Sequence, residues 1–359
     1  MKQNNISYQR VSQNFLNELD DAQLGKKTSF PFILNKIPGK PMIKEGEIFQ
    51  VLVIGGTIFR KALIKKEGKS LVILERDAKY QPPFKHRKDL EFFVDKEISD
   101  KVSVVALNFA YPLRPVFENG RLDGILVSGT KGNVFDDLVG KKVGHELENY
   151  LNKKLKKKIK ISVANDTICL LLAGLTRAKW EDLIGGVIGT GMNFAFFIDK
   201  NTAVNLESAN FDKFPQTPEA RLIDEYSANP GKSLFEKEVA GAYLYKHFNL
   251  IRELKELSHP SIQSTEDLDR IAQQNIPGVS AVAKELLQNS AELVATQIAG
   301  IMKFKHKSLT FVIEGSLFWL SNGYRGNVKK CLAEICPEYK ARFVKIPDST
   351  IIGAAKLIA

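Results

Sequence analysis

The sequence is short of the residues that staple a chain or embed it. Only three cysteines, Cys169, Cys331 and Cys336, occur in 359 residues, and none lie in a C-x-x-C pair. A disulfide framework is therefore not expected, and a reducing cytoplasm is the expected setting. No apolar run reaches the roughly 20 residues of a membrane-spanning helix. The opening M-K-Q-N-N-I-S-Y-Q-R has no apolar core for a signal peptide, so the protein is expected to be neither exported nor inserted in a membrane. Net charge is +11, and the densest basic run is N-K-K-L-K-K-K-I-K at residues 152–160. It lacks the interleaved aromatics on which bases stack. It ends a helical pattern beginning near Lys141, where lysines complement the negative helix end. A solvated basic helix end is expected there rather than a nucleic-acid patch, and positive charge also suits a triphosphate ligand.

The composition is that of a soluble globular protein, 44% hydrophobic and 26% charged, and the length suits two domains with their own cores. The chain is organised around residues 161–175, I-S-V-A-N-D-T-I-C-L-L-L-A-G-L. A short apolar strand (Ile161, Val163) runs into Asn165-Asp166-Thr167, and a helical pattern starts at once, with Asp166 or Thr167 placed to cap it. This puts an amide and a carboxylate at the carboxyl end of a strand, where open α/β sheets bind ligands. A glycine turn lies on each side: V-I-G-G-T-I-F-R-K-A-L-I at 53–64 and V-I-G-T-G-M-N-F-A-F-F-I at 187–198. Each reads as a β-hairpin whose bare tip lets backbone N–H groups approach a phosphate. A strand rather than a helix follows each turn, which separates them from the G-x-x-x-x-G-K-[ST] loop. Two such turns around N-D-T suggest a duplicated fold with nucleotide between the halves.

These residues resemble the eukaryote-type hexokinases of the actin-like sugar kinase superfamily, in order along nearly the whole chain. The resemblance begins with F-L-N-E-L, S-F-P-F-I, P-G-K, G-E-I-F and G-G-T-I-F-R within residues 15–60. F-A-Y-P at 109–112 and T-K-G at 130–132 follow, then N-D-T, G-T-G-M-N at 189–193 and N-L-E at 205–207. N-P-G-K-S-L-F-E-K at 229–237, E-G-S-L-F at 314–318 and the G-A-A ending complete it. The resemblance implies an α/β fold of two ribonuclease-H-like (actin-like ATPase) domains with a cleft between them. Their expected limits are a helical lead-in at 1–45, a small domain at 46–173 with 347–359, and a large domain at 174–346.

It also implies an ATP-dependent hexose 6-kinase, glucose being the first candidate, with Asp166 as catalytic base and Lys131 holding the sugar or balancing charge. Tyr111, Thr130, Lys131, Asn165, Asp166, Asn193, Glu207 and Glu236 are the expected sugar-binding residues. Gly55, Gly56, Thr57, Arg60, Gly189, Thr190, Gly315 and Ser316 are the expected nucleotide-binding ones; Arg60 either reaches a phosphate or faces solvent. ATP and Mg²⁺ are the implied cofactors, with no direct protein ligand for the metal. The expected partners are the hexose and Mg·ATP, without nucleic acid or membrane, in a monomer or homodimer.

The chemistry suits the residues. Phosphoryl transfer to a hydroxyl needs alignment, charge neutralisation and a proton acceptor, and a hexose suits a ring of carboxylates and amides. The chain also departs from the family. Val53 stands where an aspartate orients metal-bound water, Ala110 where the sugar loop has serine, and Ser233 where a glutamine helps the sugar-binding glutamate. Met192 replaces a threonine and Glu314 an aspartate, and the span from Glu236 to Gly315 is short. A sugar-binding regulator with little turnover is the alternative that Val53 suggests; a nucleic-acid-binding protein rests on charge alone.

For local structure, helices are expected over 85–98, 220–257 and 277–304 and an N-terminal one with Val11, Phe15, Leu16 and Leu19 on one face. Strands are expected at 49–53, 58–64, 71–74, 102–107, 186–198, 202–205, 308–313 and 342–346. Residues 108–126 read as a long loop with a turn at Glu118-Asn119-Gly120, and Asp348 or Ser349 reads as the cap of the closing helix.

Overall fold

The computed structural model describes residues 7–359 apart from Gly56, Lys69, Lys131 and Lys157. Along the chain, α1 (Tyr8–Gln23) and β1 (Ile33–Lys36) precede β2 (Ile48–Ile54), β3 (Ile58–Glu67) and β4 (Ser70–Tyr80). Then come α2 (Arg87–Glu97), β5 (Val104–Phe109), β6 (Leu113–Glu118), β7 (Arg121–Leu126), α3 (Val143–Leu155), β8 (Lys160–Ala164) and α4 (Asp166–Gly174). The second half runs β9 (Leu183–Ile188), β10 (Met192–Asp199), β11 (Thr202–Asn205), α5 (Pro218–Glu225), α6 (Leu234–Val239), α7 (Gly241–Leu254) and α8 (Thr265–Gln273). It closes with α9 (Val279–Lys305), β12 (Leu309–Glu314), α10 (Ser316–Leu320), α11 (Tyr324–Ile335), β13 (Ala341–Val344) and α12 (Ser349–Ala355).

Two compact units result. One holds Ile33–Gly185, Ala195–Asn205 and Ile346–Ala359; the other holds the described residues up to Phe32, with Gly186–Phe194 and Leu206–Lys345. In the former, a sheet of order β4-β3-β2-β5-β8 pairs β4, β3 and β2 antiparallel and β2, β5 and β8 parallel. The three parallel strands are almost continuously buried, as a sheet covered on both faces requires. Leu52, Ile54, Phe59, Phe84, Phe93, Leu107 and Val163 form the core on one side. On the other, α12 packs on β2, β5 and α4. Edge strand β4 is exposed and carries Glu75, Arg76, Asp77 and Lys79, which discourages pairing with another sheet.

The other unit is built around α9, a 27-residue helix that is buried along most of its length. Gly300 on α9 leaves room for the Phe15 ring of α1, and Phe15, Phe30 and Phe211 pack together there in tilted and edge-to-face contacts. The strands outside the β6–β7 hairpin and the first sheet are hydrogen-bonded in the order β1-β11-β10-β9-β12-β13, with β12 and β13 parallel.

Several expectations need correction. Residues 108–126 are not a loop: β6 and β7 pair directly, and Asn119 and Gly120 take φ of +52° and +75° at the tip. An Asn-Gly pair with both φ positive is the turn that joins tightly twisted hairpin strands. The helix expected over 220–257 is three helices, interrupted where residues 226–233 leave helical geometry and again at Ala240, whose ψ is 152°. Helix α8 was missed although Ser264 caps it through Asp267 N at 3.1 Å. Asp348 is the N-cap residue of α12, as expected, but its carboxylate pairs with Arg76 rather than with the helix amides. The N-cap of α4 is Asn165, not Asp166 or Thr167.

Candidate active site

In the unit that contains β2, the strand's buried apolar run delivers the chain to Gly55. A Cβ there would overlap the methyl of Ala110, and φ is +155°. The turn is pinned from behind: Gly55 N donates to Gln81 Oε1 at 2.8 Å, and Gln81 Nε2 reaches Tyr111 Oη at 3.0 Å. Burial pushes the Tyr111 phenol up, away from ionisation. Tyr111 is thus a core residue whose hydroxyl braces the turn. Thr57 and Arg60 are exposed, and Gly56 lies outside the described residues.

Strand β8 ends one residue before Asn165. The Asn165 Oδ1 accepts from Thr167 N at 2.9 Å and its Nδ2 reaches Tyr111 O at 3.5 Å. The amide is therefore used to start α4, and Asp166 becomes the first helical residue. The Asp166 carboxylate is half-buried and accepts from Thr167 N at 2.8 Å, so it sits at the positive end of the helix, where its charge is favoured. Thr130 is half-buried, its carbonyl accepting from Asn133 N at 3.0 Å; Lys131 lies outside the described residues. Val53 is 5% exposed, and its register partners are Arg60 on β3 and Asn108 on β5. Asn108 is fully buried, its Nδ2 reaches Thr350 O at 3.3 Å, and its Oδ1 has no partner among the described residues.

In the other unit the second glycine turn is the meeting point. Gly189 O accepts from Gly241 N at 2.8 Å and Thr190 O from Ala242 N at 3.1 Å, so the turn's carbonyls satisfy the first amides of α7. In a trans peptide N–H and C=O point oppositely; the N–H groups of Thr190 and Gly191 therefore point away from α7. This arrangement is invisible in the local motif, because α7 lies some fifty residues on. A Cβ on Gly189 would meet the backbone of Gly315 at 2.9 Å, and one on Gly191 would meet Glu236 Oε2 at 2.8 Å. Gly315 itself has φ +127°, and a Cβ there would overlap Ile188 O. These contacts need glycine, and they bring Gly189, Thr190, Gly315, exposed Ser316 and Glu236 to one place.

Glu236 Oε2 accepts from Met192 N at 3.0 Å, which ties α6 to the start of β10. One residue on, Asn193 Oδ1 accepts from Ser208 N at 3.2 Å. Glu207 precedes that serine with φ +47°, a left-handed conformation that costs a non-glycine residue roughly 1–2 kcal/mol. Asn193, Glu207 and Glu236 are thus joined through β10 and the turn at 208–210, against which α6 packs.

A charge that the sequence hid lies beneath this cluster. Lys237 is completely buried, with its Nζ bound to Asp224 Oδ1, Ser227 Oγ and Asn229 O. It holds the N-P-G loop closed over the start of α6. Beside it Glu238 is 6% exposed, and burial pushes its carboxyl up to about 7 although Thr217 N donates to it at 3.0 Å. His247 is buried too, its Nε2 against Lys237 O at 2.8 Å, and burial lowers its pKa.

Comparison with known proteins places this arrangement. A family model described as hexokinase matches residues 1–176, and a second with the same description matches 183–254 and 251–359. Hexokinase-1 of Saccharomyces cerevisiae is 25% identical over 400 residues, covering 91% of this chain and 82% of that protein. The hexokinase of Kluyveromyces lactis is 27% identical over 430 residues, covering 96% of this chain and 87% of that one. Among solved structures, the hexokinase from Schistosoma mansoni complexed with glucose superposes with a TM-score of 0.83 at 20% identity, over 98% of this chain and 94% of that one. A glucokinase of the ROK family from Streptomyces griseus, in complex with glucose and AMPPNP, gives a TM-score of 0.56 at 15% identity, over 87% and 99%. The fold is that of the two-domain actin-like sugar kinases, and the chain belongs to the hexokinase family.

Proposed function

We propose that the protein transfers the γ-phosphoryl group of ATP to the 6-hydroxyl of a hexose, with glucose the first candidate, releasing ADP and hexose 6-phosphate. The observation that carries this reading is the Glu236 carboxylate seated on the second glycine turn, with Asn193 and Glu207 linked to the same strand. Sugar hydroxyls both donate and accept, and Asn165, Asn193, Glu207 and Glu236, with Thr130 and Lys131, offer the matching groups. A wrong sugar would leave one of them unpaired, which is the physical source of selectivity.

In this reading the hydroxyl oxygen attacks the γ-phosphorus while its proton passes to Asp166. The new O–P bond forms as the bond to ADP breaks, and that electron pair leaves on the β-phosphate oxygen. Position at the first turn of α4 holds the Asp166 carboxylate half-buried beside Thr167 N. The two turns suit a polyphosphate: Thr57 and Thr190 are exposed at their tips, and glycine beside each leaves no side chain over the backbone N–H groups. Gly55, Gly56, Thr57, Arg60, Gly189, Thr190, Gly315 and Ser316 would hold the nucleotide. Mg²⁺ carried by the phosphates would supply charge neutralisation; Val53, aliphatic and buried, offers it nothing. We assign the residues at 46–173 and 347–359 to a small domain, those at 174–346 to a large one, and the site of action to the cytoplasm, where hexose phosphates enter glycolysis. The test is a coupled assay of several hexoses with Mg·ATP: hexose-dependent ADP release supports the reading, and ADP release indifferent to sugar overturns it.

A further inference from the structure

The two carboxylates assigned to the sugar stand on segments that each begin with a strained residue. Glu207 itself has φ +47°, and Ser233, the residue before α6, has φ +50°. Neither is glycine, so each left-handed turn persists only where its surroundings fix it. One side chain touches both. Asn210 Oδ1 accepts from Ser233 N at 3.1 Å, and Asn210 Nδ2 donates to Glu207 O at 3.1 Å. The Asn210 backbone N donates to the same Glu207 carbonyl at 3.0 Å. The carboxamide therefore spends its acceptor on the start of the Glu236 helix and a donor on the Glu207 turn. The position also lies close to Ser233, where the family resemblance calls for a glutamine that supports the sugar-binding glutamate. Here the Ser233 backbone, not its side chain, is what Asn210 holds, and the Ser233 side chain makes no cap to α6.

We infer that Asn210 is a positioning residue for hexose: its carboxamide sets the placement of Glu207 relative to Glu236, replacing a brace that the Ser233 side chain does not give. The inference rests on the proposed sugar roles of those two carboxylates. Asn210 touches no reacting atom in this account. Its loss should weaken sugar binding much more than nucleotide binding, because α7 and Gly315, which Asn210 does not touch, also hold the phosphate turn.

The experiment measures glucose affinity by calorimetry, the KM for ATP and the melting temperature in wild type, Asn210→Ala, Asn210→Asp and Glu207→Ala, and adds the double variant Glu207→Ala with Asn210→Ala. Asn210→Ala should weaken glucose binding about tenfold, equivalent to roughly 1.4 kcal/mol, with the KM for ATP within about twofold. Asn210→Asp, which keeps the acceptor for Ser233 N but sets a carboxylate oxygen against Glu207 O in place of the donor, should weaken glucose binding at least as much. In the Glu207→Ala background the loss of Asn210 should add little, since both act through one group. Unchanged glucose affinity in Asn210→Ala and Asn210→Asp overturns the inference, as do fully additive effects or equal losses for sugar and nucleotide. A wild-type protein that binds no hexose sinks the proposed function first, and this inference with it.

Discussion

The two glycine turns begin with the same Val-Ile-Gly sequence and are supported in different ways. The second is ringed by polar groups that do several jobs at once: Glu236 caps it from α6, α7 donates two amides to its carbonyls, and Gly315 closes against Gly189. The first is supported by a neutral amide, a phenol and a methyl, from Gln81, Tyr111 and Ala110. Its approach strand carries aliphatic Val53 one residue before its end, in register with Asn108, whose Oδ1 has no partner among the described residues. The contrast teaches that turn geometry and turn charge are separable. Glycine and close packing preserve the loop shape in both, while only the second keeps a carboxylate next to it. Asp166 is then the one carboxylate among the site residues assigned to the first unit.

That makes Asp166 the place where the comparison breaks hardest. Asp166→Asn keeps the shape of the first turn of α4 and should lower turnover by about two to four orders of magnitude with sugar affinity nearly intact. Steady-state kinetics beside glucose calorimetry would check this, and turnover within a few-fold of wild type would remove Asp166 as the base.

Loss of either carboxylate on the other side should act on binding instead. Glu207→Ala and Glu236→Ala should each weaken glucose binding by about 1–3 kcal/mol, without a comparable loss for nucleotide. Glu236→Ala also leaves Met192 N without its acceptor, so equal losses for both ligands would mark the residue as a support for the turn.

Stability offers a third separation through Glu238, buried under the second turn's helix. Its folded pKa of about 7 lies above the usual 4.5, so the folded protein binds the extra proton between those values. Stability is therefore favoured below about pH 4.5 and lost as pH rises through about 7. Glu238→Gln, which cannot ionise, should flatten that part of the melting profile; an unchanged slope would show that the carboxyl ionises normally.

The last comparison concerns metal dependence and is made with Val53→Asp. The introduced carboxylate would stand between Arg60 and Asn108. Arg60 could pair with it, but Asn108 Oδ1 would repel it, and burying a charge costs several kcal/mol without a partner. The expected result is a lower melting temperature that recovers with Mg·ATP, together with turnover that becomes steeper in Mg²⁺. A folded variant with unchanged Mg²⁺ dependence would mean that this chain does not use the position for metal.

What the sequence disclosed follows from distance along the chain. The glycine turns, the strand entering Asn165 and the parallel strands β2, β5 and β8 are local patterns of apolar residues and bare glycine, and they were legible. The β6–β7 hairpin was equally local, but its Asn-Gly tip was read as a turn inside a loop, because prolines at 112 and 115 obscured the strand alternation. Lys237 and Asn210 could not be read. A lysine in a charged helix signals solvent, and only the folding of Asp224, Ser227 and Asn229 around it buries that ammonium. Likewise the cap of α4 depended on whether Asn165 or Asp166 faced back to the amides, which strand length decides.

The central claim is that this chain moves phosphate from ATP to a hexose, and phosphorus NMR of the reaction mixture tests it most directly. With glucose and Mg·ATP the account gives equal growth of ADP and glucose 6-phosphate resonances, with no inorganic phosphate beyond the enzyme-free control. ADP appearing with inorganic phosphate and no sugar phosphate, or ATP left intact with every hexose tried, would contradict it.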